Sequence, residues 1–132
     1  MNPVFVDTSA LLALVNRGDE NHERARRVFA TLSGRQAALV STSAVLIETY
    51  ALLGSRLGLD AIRSFRAEFA PLFEVVWVDE SLHEAGLDLL LERAKRRLSL
   101  VDSVSFVAMR RMELDEAFAF DPHFEQEGFT LV

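Results

Sequence analysis

The chain has 132 residues, half of them hydrophobic, with ten Phe, no cysteine and a formal net charge of −6. That length and apolar content fit one domain able to bury about two-thirds of its unfolded surface, and they exclude a disordered or fibrous chain. The lack of cysteine excludes disulfides and thiolate metal sites, and the acidic balance counts against simple electrostatic capture of a polyanion unless charge is uneven or a cation reverses its local sign.

Val4 to Val6 read as a short buried strand, and Ala10 to Val15 as the start of a buried helix. Asp19 can cap the next helix, where Ala25, Val28, Phe29 and Leu32 recur at helical spacing until Ser33-Gly34 stops it. Ala37 to Val40 make a second strand, and residues 43–57 a helix ending near Gly58. Asp60 can cap another helix, with Ile62, Phe65, Phe69 and Leu72 on one face. Val75 to Val78 form a third strand. Ser81-Leu82-His83-Glu84 has the form of a capping box opening a helix to about Arg97. Ser99 to Asp102 begin a helix through Met112, Ala117 to Phe120 form a fourth strand, and Phe129 to Val132 a fifth.

Strands and helices alternate, and the strands carry no polar face. That pattern implies an α/β fold with a parallel sheet covered by helices on both sides. No repeat, linker or low-complexity segment interrupts residues 1–132, so one domain is expected. The chain opens Met-Asn-Pro with no secretory leader, and no apolar run reaches the about 18 residues of a membrane span. A soluble cytoplasmic protein is the expectation. Lys95 is the only lysine; the arginines cluster at 24–27, 93–97 and 110–111, either as solvated helix faces or as a rim for phosphate oxygens.

Four carboxylates sit at seams of apolar sequence. Asp7 follows the first strand in "VFVDTSALLAL" and can be either a helix cap or a site acid. Glu48, in "SAVLIETYALL", has Ala44, Val45, Ala51 and Leu52 as helical neighbours. A carboxylate on such a face is costly unless it meets an Arg or a metal. Asp102, in "LVDSVSFVAM", lies where a helix dipole favours an acid, and Asp121 precedes Pro122 in an ordinary turn opening. Ligands bind outside the carboxyl ends of strands in parallel sheets, and both Asp7 and Asp121 sit at such ends. Four acids converging there would repel one another, and a divalent cation resolves that. An oxygen donor set without Cys or a His pair suits Mg²⁺ or Mn²⁺, which implies phosphodiester hydrolysis.

Taken in order, "VFVDTSALLAL", Glu48 in "SAVLIETYALL", Asp102 in "LVDSVSFVAM" and Asp121 in "FAFDPHFEQEGF" resemble the PIN domain, and within it the VapC-type toxin ribonucleases. The resemblance spans nearly the whole chain. It implies a three-layer α/β/α fold with a five-stranded, mainly parallel sheet in the order 3-2-1-4-5. It also implies Mg²⁺- or Mn²⁺-dependent endoribonuclease activity, homodimerisation and inhibition by a cognate antitoxin. By motif match, Asp7, Glu48, Asp102 and Asp121 form the acidic site, with Asp7, Asp102 and Asp121 on the metal and Glu48 completing the ring or orienting water. Two positions depart from the pattern: Ala119 stands where a hydroxyl is frequent, and Ser103 where Ala is frequent. Ser103, Thr8 and Ser9 are possible accessory hydroxyls, Ser9 favoured over Thr8. His22 and His123 are expected to be structural or surface residues.

Other functions remain as rivals. One is a PIN nuclease outside a toxin–antitoxin pair, acting in RNA processing or on DNA. Another is a non-catalytic PIN-like binding module, against which the presence of all four acids argues. A phosphate-signalling receiver domain also gathers acids at strand ends but needs a lysine after a late strand, and Lys95 lies in a helical stretch.

Overall fold

In the computed structural model, which describes residues 2–132, five strands make one sheet: β1 (Val4–Val6), β2 (Leu39–Thr42), β3 (Phe73–Val76), β4 (Glu116–Phe118) and β5 (Thr130–Leu131). The order is β3-β2-β1-β4-β5 and every pairing is parallel. Seven helices connect them: α1 (Thr8–Val15), α2 (His22–Gly34), α3 (Ser43–Leu57), α4 (Leu59–Glu68), α5 (Glu80–Arg93), α6 (Leu100–Arg111) and α7 (His123–Gln126). The expected strand order is therefore observed. The chain builds the sheet outward from β1 to β3, then returns to the other side of β1 for β4. That reversal creates a crevice between the carboxyl ends of β1 and β4, the usual ligand position in such a sheet.

The core explains why β1 is central. Val4, Phe5 and Val6 are at most 1% exposed. Phe5 meets Phe124, and Phe124 stands edge-on to Phe106 with centroids 4.9 Å apart. Aromatic pairs of this kind add about 0.5–1.5 kcal/mol beyond burial. Under the other half of the sheet, Phe65 stacks on Phe69 and receives the edge of Tyr50. A smaller cluster of Leu82, Val104 and Ala108 seals α5 against α6. Gly86 makes that approach possible: a Cβ there would lie 2.5 Å from Val104 Cγ2 and 3.1 Å from its Cα.

Several boundaries differ from the sequence expectation, each for a local reason. The second strand begins at Leu39 because Gln36, at φ 54°, turns the chain, and it continues through polar Ser41 and Thr42. Ser41 Oγ donates to Val6 O at 2.9 Å, and Thr42 Oγ1 accepts from Val45 N, so both hydroxyls are satisfied inside the sheet. The third strand ends at Val76, leaving Trp77 75% exposed. The fourth ends at Phe118, and the fifth is only Thr130–Leu131, although Val132 N still donates to Ala117 O.

Two caps are also corrected. Asp19 does not cap α2; its carboxylate turns the preceding loop by accepting from Asn21 N, and Asn21 holds the cap position. The box expected at Ser81–Glu84 is absent, because Asp79 caps α5 through Leu82 N, and α5 stops at Arg93 where Ala94 adopts φ 52°. The capping box lies instead at Ser99 and Asp102, opening α6. Gly58, at φ 94°, ends α3 as expected, and α4 follows at once with Asp60 in its first turn.

Candidate active site

Asp7 is the first residue beyond β1. Its backbone N–H donates to Phe118 O at 3.0 Å, which locks the end of β1 to the end of β4. Its side chain caps α1, with Oδ2 accepting from Ser9 N at 3.1 Å and from Ser9 Oγ at 2.6 Å. Ser9 Oγ in turn accepts from Phe120 N at 2.9 Å. One hydroxyl thus ties Asp7 to the segment that carries Asp121. Thr8 points elsewhere: its hydroxyl donates weakly to Val45 O and meets Thr49, in the contact between α1 and α3. Of the two candidate hydroxyls at this corner, Ser9 touches an acid and Thr8 does not.

Asp102 fills the helix-start role that the sequence left open. Its N–H donates to Ser99 Oγ and its Oδ2 accepts from Ser99 N at 3.2 Å, so it belongs to the α6 capping box. A carboxylate oxygen of Asp102 also lies within 4.8 Å of ligand atoms of Asp121 and His123. Asp121 opens the turn into α7, and its Oδ1 accepts from His123 N at 2.9 Å and pairs with His123 Nδ1 at 2.8 Å. Glu48 is half-buried on α3 and forms neither a hydrogen bond nor an ion pair among the described residues, so the buried Arg partner that its apolar neighbours suggested is not there.

These acids repel. Burial, opposed by the Ser9 bonds and reinforced by Asp102 and Asp121, pushes the Asp7 carboxyl up from 3.8 to about 7. Asp102 is also raised, first by burial and then by Asp121 and Glu48, against the Ser99 bonds. No Lys or Arg bonds to any of these carboxylates among the described residues.

The donor set fits a divalent cation. Asp102, Asp121 and His123 each offer an atom, and these atoms all lie within 4.8 Å of one another. His123, expected to be structural, is thus part of the cluster, and its ring nitrogen adds affinity for Mn²⁺ over a purely oxygen site. No sequence signal marked it, since a histidine two residues past an Asp in a polar turn is ordinary. His22 does match the structural expectation: its Nδ1 lies 2.8 Å from Ala13 O, at a groove of about 1060 Å³ that also includes Phe29, Phe65 and Phe69. Ser103 is fully buried and its hydroxyl has no hydrogen-bond partner among the described residues.

An all-parallel sheet reversing at β1 and β4, with acids drawn to that reversal, defines the chain as a member of the PIN domain family, which it matches over residues 4–129. Within the family it is similar to the 23S rRNA-specific endonuclease VapC20 of Mycobacterium tuberculosis, at 34% identity over 98% of this chain and 97% of that protein. The crystal structure of Mycobacterium tuberculosis VapC20, described as a sarcin-ricin loop cleaving toxin, superposes with a TM-score of 0.85 and covers 96% of each chain. A VapBC2 complex from Rickettsia felis, bound to promoter DNA, shares the fold at a TM-score of 0.73, with 11% identity over 98% of this chain and 96% of that one.

Proposed function

We propose that this chain is a divalent-metal-dependent endoribonuclease, the toxin of a type II toxin–antitoxin pair, acting in the cytoplasm on RNA phosphodiester bonds. The observation that carries this reading is the convergence of Asp102, Asp121 and His123, with ligand atoms within 4.8 Å of one another, beside buried Asp7, where no Lys or Arg among the described residues pairs with the acids. Structural acids are normally paired, and acids held at a raised pKa are a mark of functional sites. The 34% identity to a 23S rRNA-specific endonuclease supports RNA as substrate and ribosomal RNA as the class to try first.

Asp7, Asp102 and Asp121, with His123 and Glu48 beside them, are the residues assigned to hold Mg²⁺ or Mn²⁺. Such an ion, when bound, offsets the charge of phosphate oxygens and favours ionisation of a nearby water. The chain's own contributions are positional. Ser9 fixes the orientation of Asp7 against the β4 end. The capping box fixes Asp102 at the head of α6. Glu48, bonded to no other side chain among the described residues, is free to orient the attacking water and take its proton. Substrate phosphate enters at the crevice between β1 and β4.

VapBC complexes among the structural neighbours share this fold, and a cognate antitoxin is the proposed regulator of this chain. A homodimer is proposed from the exposed apolar side chains between residues 43 and 72, namely Ile47, Leu57, Leu59 and Leu72. Light scattering that shows only monomer at every concentration would remove the dimer. The catalytic reading is tested by incubating purified protein with a panel of RNAs, including ribosomal RNA, in Mn²⁺ and in chelator. Cleavage in Mn²⁺ that is lost in chelator and in Asp102→Asn is expected. Full cleavage in chelator overturns it.

A further inference from the structure

A protein of net charge −6 with an acidic crevice has to hold a polyanion by some local cation, and the arrangement at the crevice rim supplies one. Arg24, exposed on the first turn of α2, lays its guanidinium 5.3 Å from the centroid of the Phe120 ring. Phe120 is the residue before Asp121, and its N–H donates to the same Ser9 hydroxyl that holds Asp7. Arg24 is therefore anchored one residue from the acids. Its charge is not spent on a protein carboxylate: it forms no salt bridge among the described residues, whereas Arg26 meets Glu23, Arg93 and Arg110 meet Glu127, and Arg35 meets Glu116. None of the four acids pairs with it among the described residues. Contact with an aromatic face orders a guanidinium without consuming its hydrogen-bond donors.

We propose that Arg24, held in place by Phe120, contacts a substrate phosphate flanking the one presented to the acids. This rests on the nuclease reading for its substrate class. The guanidinium fork suits phosphate oxygens, and its position on a ring keeps it at the rim and out of the acid cluster, where it would occupy the cation's place. The contact is to backbone phosphate, so it carries no base preference of its own.

The test measures binding, not turnover. Fluorescence anisotropy of a single-stranded RNA oligonucleotide is followed through a salt titration in Mn²⁺, using the Asp7→Asn protein to suppress cleavage. Adding Arg24→Ala should weaken binding about tenfold at low salt and lower the slope of log K against log salt by about one. Arg24→Lys should keep the slope. Phe120→Leu should weaken binding by a smaller factor with the slope retained. Arg56→Ala is the control: Arg56 lies in the last turn of α3, about 20 Å along the helix from Ser43, and should leave binding unchanged. An unchanged slope in Arg24→Ala, or an equal loss in Arg56→Ala, overturns the proposal and leaves the nuclease reading intact. Arg24-dependent binding in a protein whose wild type cleaves no RNA supports the phosphate contact and overturns the nuclease reading instead.

Discussion

Two carboxylates in this molecule are deeply placed and are treated in opposite ways. Glu127, just past α7, has a side chain only 6% exposed and is met by two arginines. Arg93 grips it at 2.8 and 3.2 Å, and Arg110 donates to it at 2.7 Å. Those contacts pull its carboxyl down from 4.5 to about 2. Asp7, 4% exposed, meets a serine and two other acids, and its carboxyl rises to about 7. The Glu127 cluster is arranged for stability, binding α5, α6 and the start of β5 together. The Asp7 cluster is left without a neutralising Lys or Arg among the described residues, and a bound proton or an added cation would each relieve it. At Glu127 the arginines outweigh the effect of burial, whereas at Asp7 burial is the main cause of the rise and the neighbouring acids add to it.

The sharpest break in this comparison is chemical. Asp7→Asn and Asp102→Asn should each reduce RNA cleavage by at least about a hundredfold while leaving the circular dichroism spectrum native, since electrostatic groups at reacting centres commonly contribute that much. Glu127→Gln should fold less stably yet keep its cleavage rate below its melting temperature. A reversal of those two outcomes would mean that the functional and structural clusters have been exchanged.

The second effect is on stability against pH without metal. Asp7 has a folded pKa above its unfolded one, so the unfolded chain releases that proton first as pH rises. Stability should therefore fall between pH about 4 and about 7, by up to on the order of 4 kcal/mol, and level off above that. Asp7→Asn should remove most of the decline, and Mn²⁺ should offset it in wild type far more than in Asp121→Asn. Melting curves at several pH values, with Mn²⁺ or chelator, measure this. Equal and negligible Mn²⁺ shifts in both proteins would leave the acids without a metal role.

Glu127 gives the mirror image at about half the size. Its folded pKa is depressed, so its contribution is complete above pH about 4.5 and lost as pH falls toward about 2. With the arginines partly exposed and screened, Glu127→Gln should cost about 2 kcal/mol at neutral pH and nothing at the acid end of that window. The summed contribution of these two groups is greatest near pH 4–5, where their two windows meet.

The smallest effect tests the edge of the acid cluster. Ser103, next to Asp102, buries an unpartnered hydroxyl. Ser103→Ala removes a desolvated group without opening a large void, so denaturant melts should show a change within about 1 kcal/mol, toward greater stability. A loss of several kcal/mol would mean that the hydroxyl has a partner such as a buried water.

The alternation of strands and helices, the helix at 43–57 and the opening of α6 were legible because hydrophobic runs and turn residues agree there, whereas the strand order was legible only through the family resemblance. Strand ends were not, because Ser41 and Thr42 are polar by composition but satisfied within the sheet. The cap at Asp79 was missed because Ser81 and Glu84 offered a competing pattern that differs only in where the first turn starts. Among site residues, Asp7, Asp102 and Asp121 stood out as charges in apolar sequence, and the structure brings them within electrostatic reach of one another. Glu48 stood out for the same reason, and its influence reaches Asp102. His123 did not, since a histidine in a polar turn has no anomaly to show; only the fold turns its ring onto Asp121.

The hydrogen bond from Asp7 N to Phe118 O has a consequence for how such a protein is made. Asp7 is synthesised 111 residues before Phe118 and 114 before Asp121. The crevice therefore does not exist on any nascent or prematurely terminated chain ending before β4, however well its first three strands have formed. A chain cut short before β4 lacks the strand end against which Asp7 is held.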